Sequence, residues 1–179
     1  MGRHVSYKGF DVLICAMAEV RGDAQLVLGG EGPLTAELRL LAERSGVAKR
    51  VHFVGMVPPD QLAAYYQACD VFCLPSVTVA EAFGIVQVEA MASGRPVVST
   101  KLNTGVDYAN QDGVTGFTVT PGDPHELAAR LNLLIEDKAL ADRMSAAARE
   151  RALGVFTLEQ MRDRTLAVYN EAAAQRRSR

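Results

Sequence analysis

Glu81-Ala82-Phe83-Gly84-Ile85-Val86-Gln87-Val88-Glu89-Ala90-Met91, followed by Ala92-Ser93-Gly94-Arg95-Pro96, is the stretch around which the chain is organised. From Ile85 to Met91 every residue except Gln87 and Glu89 is apolar, the pattern of a short helix buried among other elements. A carboxylate at Glu89 therefore needs a reason. An ionised Glu is costly to bury alone, so it is hydrogen-bonded, paired or set in a cleft. Glu81 falls in the turn ahead of the helix, after the strand-like Val71-Phe72-Cys73-Leu74-Pro75. Phe83-Gly84 falls at the helix start, where free N–H groups and the dipole favour an anion and glycine lets a ligand approach the main chain. One carboxylate before the helix, amides at its mouth and a second carboxylate about a turn inside suit a ligand with a phosphate centre and hydroxyl-bearing ends, such as a sugar nucleotide. Plainer roles stay open, because a Glu at a helix entrance is a favourable dipole partner and a Glu on a helix is often solvated.

The rest of the chain reads as a scaffold for this stretch. Its 179 residues suit one domain, and 49% apolar with 22% charged residues is ordinary for a globular protein. The net charge is -2, with no basic block before the last residues, so nothing electrostatic favours nucleic acid. No run of about 18 apolar residues is available to span a bilayer, and a cytoplasmic location is expected. Cys15, Cys69 and Cys73 form an odd set inside apolar segments, which predicts buried thiols rather than a disulfide framework. With His4, His52 and His125 isolated in sequence, no metal site is expected.

In chain order, Gly2 to Gly9 is a loop carrying Arg3 and Lys8, and Phe10 to about Val20 has helical spacing. Gln25 to Leu28 is a buried, parallel-type strand, followed by Gly29-Gly30-Glu31-Gly32-Pro33 and a helix from about Leu34 to Arg44. No complete G-x-G-x-x-G or Walker motif is present, which disfavours dinucleotide and P-loop chemistry. Val51 to Gly55 is a strand, Asp60 to Ala68 a helix, Val71 to Leu74 a strand and Pro96 to Ser99 another. Lys101 to Asp107 reads as a loop and Phe117 to Val119 as an edge strand. Pro121-Gly122-Asp123-Pro124 caps a helix to about Glu136, and Asp137 to Ala152 and Leu158 to Ala174 are amphipathic helices. Strands alternating with helices predict an α/β fold, a doubly wound, Rossmann-like parallel sheet with its ligand at the carboxyl ends of the strands.

The Glu81 to Glu89 spacing with Phe83-Gly84 between, then Glu89-Ala90-Met91-Ala92-Ser93-Gly94-Arg95-Pro96-Val97-Val98, resembles the E-x7-E signature of retaining, nucleotide-sugar-dependent glycosyltransferases of family 4, which have the GT-B fold. The resemblance runs from Gly2 to about Glu136 and corresponds to the C-terminal, donor-binding domain. It implies a donor domain over 1–155 and a last helix, 156–179, that packs across to an N-terminal domain not contained in these residues; a strand ahead of Arg3 is likewise expected. Arg3 and Lys8 resemble the family's "GR…KG" segment and would hold the donor diphosphate, with help from amides near Phe83, Gly84 and Ile85. Glu81 would orient sugar hydroxyls and Glu89 the ribose, Gly30 and Gly32 would line the donor cleft, and Met56 and Val57 would meet the base through main-chain groups. Arg3, Lys8 and Glu81 are the expected catalytic residues. Lys101 to Asp107 departs from the family's Gly-Gly and Pro-Glu pattern.

The implied activity is hexosyl transfer from a UDP- or GDP-sugar co-substrate to a glycan or lipid-linked acceptor, in cell-envelope polysaccharide synthesis, with no metal or other cofactor. The basic tail Arg176 to Arg179 would allow a peripheral contact with the inner face of the membrane. A non-catalytic nucleotide-sugar-binding module and a sugar-nucleotide epimerase of the same architecture remain as alternatives.

Overall fold

The computed structural model describes residues 1–177. Among them α1 (Phe10–Ala16), β1 (Leu26–Gly29), α2 (Thr35–Arg44), β2 (Val51–Gly55), α3 (Pro59–Ala68), β3 (Phe72–Leu74) and α4 (Ile85–Ala92) follow one another. β4 (Val97–Thr100), α5 (Gly105–Ala109), β5 (Gly116–Val119), α6 (Pro124–Glu136), α7 (Lys138–Val155) and α8 (Leu158–Arg177) complete the order. Each end lies within a few residues of the bound that periodicity predicts, apart from α5, which falls on the Lys101 to Asp107 stretch read as a loop, and the C-terminal end of α1. There Arg50 donates to the carbonyls of Met17 and Val20, at 2.9 Å for Val20, and the last turn closes before Val20.

All strand pairing is parallel, but the ladder divides. β1 pairs with β2, and β4 lies between β3 and β5. Between the two groups, Gly2 N–H donates to the Gly29 carbonyl at 2.9 Å and His4 N–H to that of Glu31 at 3.0 Å, so the first residues run beside the end of β1.

The β1–β2 group is exposed along Val27, His52 and Val54, so of the Gln25 to Leu28 strand read as buried only Leu28 is; both faces of the β3–β5 group are covered, as a doubly wound arrangement requires. The two buried valines of β4 show it: Val98 packs in a core with Phe10, Leu13, Ile14, Leu127 and Leu131, and Val97 in another with Tyr66, Met91, Val106 and Ala148. Side chains alternate along a strand, so neighbouring residues reach opposite layers. α7 serves both, with Met144 in the first core and Ala148 and Ala152 in the second.

Asn110 is the polar tie between β4 and β5. Fully buried, its Nδ2 shares its two hydrogens among Ser99 Oγ at 2.9 Å, the Phe117 carbonyl at 3.0 Å and the Val97 carbonyl at 3.2 Å, while Oδ1 accepts from Thr115 Oγ1 at 2.8 Å. The sequence does not announce the short helix before it. A capping box forms α5: Thr104 Oγ1 accepts from Val106 N–H, and Asp107 accepts from Thr104 N–H at 3.0 Å.

The three cysteines are free, as expected, but half-buried rather than buried. No residue of α8 from Leu158 to Arg176 is buried. The tail expected to touch a membrane lies partly outside the described residues, at Ser178 and Arg179. No helix among the described residues is long and apolar enough to cross a membrane.

Asn110→Ala is expected to lower stability by about 2–3 kcal/mol in urea unfolding, because it strands several buried partners at once. A loss below about 0.5 kcal/mol, the size typical of a surface substitution, would show that Asn110 does not hold the strands.

Candidate functional site

The site forms where loops leave the carboxyl ends of the strands. Its first part is the loop before α1, where Ser6–Lys8 make one 3-10 turn and the Tyr7 carbonyl accepts from Val77 N–H at 2.8 Å. That docking brings Lys8 Nζ to 2.5 Å from Glu81 Oε2, across 73 residues of sequence. The two side chains are 14% and 10% exposed, so the pair is shielded enough for its Coulomb energy to count. Ser76 Oγ donates to the same oxygen at 2.9 Å, leaving Glu81 Oε1 with no protein partner among the described residues. Arg3 is exposed and has no ion-pair partner there.

The second part is the front of α4. Gly84 caps the helix at φ 67°, in the left-handed region, and a Cβ there would come within 2.5 Å of Leu74 Cδ2. Gln87, fully buried, donates through Nε2 to the Phe83 carbonyl at 2.7 Å and more weakly to that of Val106 at 3.4 Å, which holds the turn. Thr104 Oγ1 donates to the Glu81 carbonyl at 3.0 Å and Gly105 N–H to that of Ala82 at 2.8 Å. Asn103, just before Thr104, has φ 55°, the one non-glycine positive φ among the described residues. No protein acceptor meets the Ile85 or Val86 N–H groups there, so the helix front can receive an anion.

The third part is an apolar cavity of about 440 Å³ lined by Arg3, Gly29, Gly30, Glu31, Met56, Val57, Leu62, Tyr66 and Val86, with Met1 and Gly2. Glu89, one turn inside α4, accepts from the Tyr66 hydroxyl at 2.8 Å through Oε2. Burial and this carboxylate push the Tyr66 phenol well above the usual tyrosine range.

Of the expected residues, Arg3, Gly30, Met56 and Val57 thus share one cavity. Lys8 and Glu81 form the ion pair beside it, and Glu89 meets its wall through Tyr66. Gly32 faces elsewhere: a Cβ there would lie 2.5 Å from the His4 carbonyl oxygen. Phe83 and Ile85 are exposed, and the Phe83 ring stands edge-on to Phe156 at 5.8 Å, with Tyr108 against Phe156 at the same distance. Among the described residues no three His, Cys, Asp or Glu side chains gather to hold a metal ion.

Comparison with known proteins settles the family. A sequence model described as "Glycosyl transferases group 1" matches residues 1–151. The chain belongs to this glycosyltransferase family. It is 36% identical over 182 residues to the D-inositol 3-phosphate glycosyltransferase of Corynebacterium diphtheriae, covering 97% of this chain but 42% of that protein. The crystal structure of Anabaena HepE in complex with UDP and glucose superposes with a TM-score of 0.88 at 30% identity, over 96% of this chain and 47% of that one. The C-terminal domain of a group 1 glycosyl transferase, LpcC from Francisella tularensis, gives 0.80 at 25% identity, over 88% and 84%. The chain therefore spans less than half of the curated relative and matches the GT-B fold at its C-terminal domain.

Sequence reasoning misses the roles of Ser76, Tyr66, Gln87, Thr104 and His4, because each acts through a contact with the main chain or with Glu81 or Glu89 that no local pattern shows. His4 is fully buried, its Nδ1 2.8 Å from Thr35 Oγ1 and its carbonyl accepting from Leu34 N–H, so it anchors the glycine loop beside Arg3. Burial pulls its pKa down. The folded state thus holds His4 neutral while the unfolded chain protonates near pH 6.5. Its contribution to stability is complete above that pH and declines as pH falls below it. Urea unfolding between pH 7.5 and 5 should show a steeper loss for the wild type than for His4→Gln; parallel profiles would refute the assignment. A double-mutant cycle of Lys8→Met and Glu81→Gln is expected to give a coupling of about 1–3 kcal/mol, and additive effects would show that the pair contributes nothing.

Proposed function

We propose that this chain is the donor-binding half of a retaining transferase that moves a hexose from a UDP- or GDP-sugar to a glycan or lipid-linked acceptor. One observation carries the reading: Arg3, which has no ion-pair partner among the described residues, the Lys8–Glu81 pair and the open front of α4 adjoin a single apolar cavity whose wall residue Tyr66 holds Glu89. A base would lie in the cavity near Met56 and Val57, with the pentose towards Glu89, the diphosphate towards Arg3, Lys8 and the Ile85 and Val86 amides, and the sugar towards Glu81.

In that arrangement the bond between the sugar and the diphosphate is the one that breaks. Negative charge then grows on the departing diphosphate, and fixed cations and amide dipoles stabilise it without reorganising. Glu81 Oε1, without a protein partner among the described residues, can accept from sugar hydroxyls while Oε2 stays with Lys8 and Ser76. A pair of glycosidase carboxylates is a poorer fit, because Glu81 is already ion-paired and a diphosphate needs no general acid to leave. HepE, crystallised with UDP and with UDP-glucose, supports a nucleotide sugar as the ligand.

A second domain that brings the acceptor belongs to the same reading. In its favour, α8 exposes Leu158, Met161, Leu166, Val168 and Tyr169, more apolar surface than a solvated helix needs. A cytoplasmic location and a lipid-linked or glycan acceptor rest on the family resemblance.

Calorimetric titration with UDP and GDP tests the donor site directly. One nucleotide is expected to bind, with Lys8→Ala and Arg3→Ala each weakening it by about tenfold, the size of one lost charge-assisted hydrogen bond. No binding of either nucleotide by the wild-type chain would overturn the proposal.

A further inference from the structure

We propose that Tyr66 is a positioning residue for ribose recognition: its hydroxyl fixes the Glu89 carboxylate so that Oε2 belongs to the protein and Oε1 is kept for the ribose hydroxyls. This rests on the donor-site reading above and deepens it.

Three observations support it. Tyr66 is 3% exposed, and its ring is locked edge-on against Phe72 with centroids 5.5 Å apart at 70°, so the hydroxyl has little freedom to move. That hydroxyl stands 2.8 Å from Glu89 Oε2 and ties α3, which follows the base-side loop at Met56 and Val57, to α4, whose front is the anion site. Tyr66 also lines the cavity itself, whereas Glu89 Oε1 has no protein partner among the described residues.

The chemistry follows from the donor inventory. A phenol carries one hydrogen, and a carboxylate is an acceptor only, so the Tyr66 proton points at Oε2. Because burial and the carboxylate keep that phenol protonated across the working pH range, the bond does not switch off. A glutamate left unheld on a helix samples several staggered wells and brings its ordering cost into ligand binding; one held by a rigid ring does not. Phenylalanine would fill the same volume but leave Oε2 half-buried and unpaired.

A merely structural role would loosen every ligand alike, whereas positioning affects only discrimination of the ribose hydroxyls. The wild type and Tyr66→Phe are titrated calorimetrically with UDP, GDP and their 2′,3′-dideoxy counterparts, and thermal unfolding is recorded in parallel. With the nucleotide that binds, the wild type is expected to favour the ribose form by about tenfold. In Tyr66→Phe the ribose form should weaken by about fivefold with the dideoxy form unchanged, so the preference collapses. Tyr66→Met, which is apolar and lacks the hydroxyl while leaving Glu89 intact, should behave the same way and serves if Tyr66→Phe does not fold. Full ribose preference in either variant, or equal weakening of both forms, overturns the inference while leaving the donor site standing. Failure of the wild type to bind either nucleotide overturns the donor-site reading and this inference together.

Discussion

A carboxylate shut away from water must meet a positive charge, and the Lys8–Glu81 pair is where this chain answers that demand. The loop that delivers Lys8 lies ahead of α1, and the turn that delivers Glu81 lies ahead of α4, so the pair can form only when both loops reach the same end of the fold. Main-chain bonds hold them there: Val77 N–H on the Tyr7 carbonyl beneath the pair, and Ser76 reaching up to the same Glu81 oxygen. Once the two are joined, the face of the protein in front of α4 is bounded on one side by cations and on the other by the turn at Gly84.

The walls of the site are set mostly by backbone rather than by reactive side chains. Gly84 takes a left-handed conformation that leaves no room for a Cβ, and Gln87 spends its amide on the carbonyl that conformation turns inward. Thr104 and Gly105 fasten the next loop to Glu81 and Ala82. Peptide groups pointing outward from such a frame recognise shape and negative charge. On the proposed reading, such a frame would accept more than one donor, and Met56 and Val57 would say little about which base it takes.

How much could be read in the chain beforehand follows from the same division. Strand-like segments such as Val51 to Gly55 and the carboxylate inside an apolar helix at Glu89 are patterns of consecutive residues, so the alternation of strands and helices and the position of the Glu81 to Pro96 stretch were legible. Arg3, Lys8 and Glu81 were legible through their likeness to a family motif. The Tyr66–Glu89, Ser76–Glu81 and Gln87–Phe83 contacts were not, because each depends on a rotamer and a packing angle that no local pattern encodes. The division of the ladder into two parallel groups was equally hidden, since hydrogen-bond pairing between distant segments leaves no periodicity. α5 escaped notice because five residues are too few to show a helical period, although its capping box, Thr104 with Asp107, stood in the sequence.

The ring contacts at the end of α7 have a mechanical meaning. Phe156 touches Phe83 on the loop before α4 and Tyr108 on α5, Arg151 lies over both Phe156 and Tyr108, and α8 begins two residues later as a rod with no buried side chain as far as Arg176. The start of α8 is thus one residue of chain, Thr157, away from rings that rest edge-on against the loop before α4.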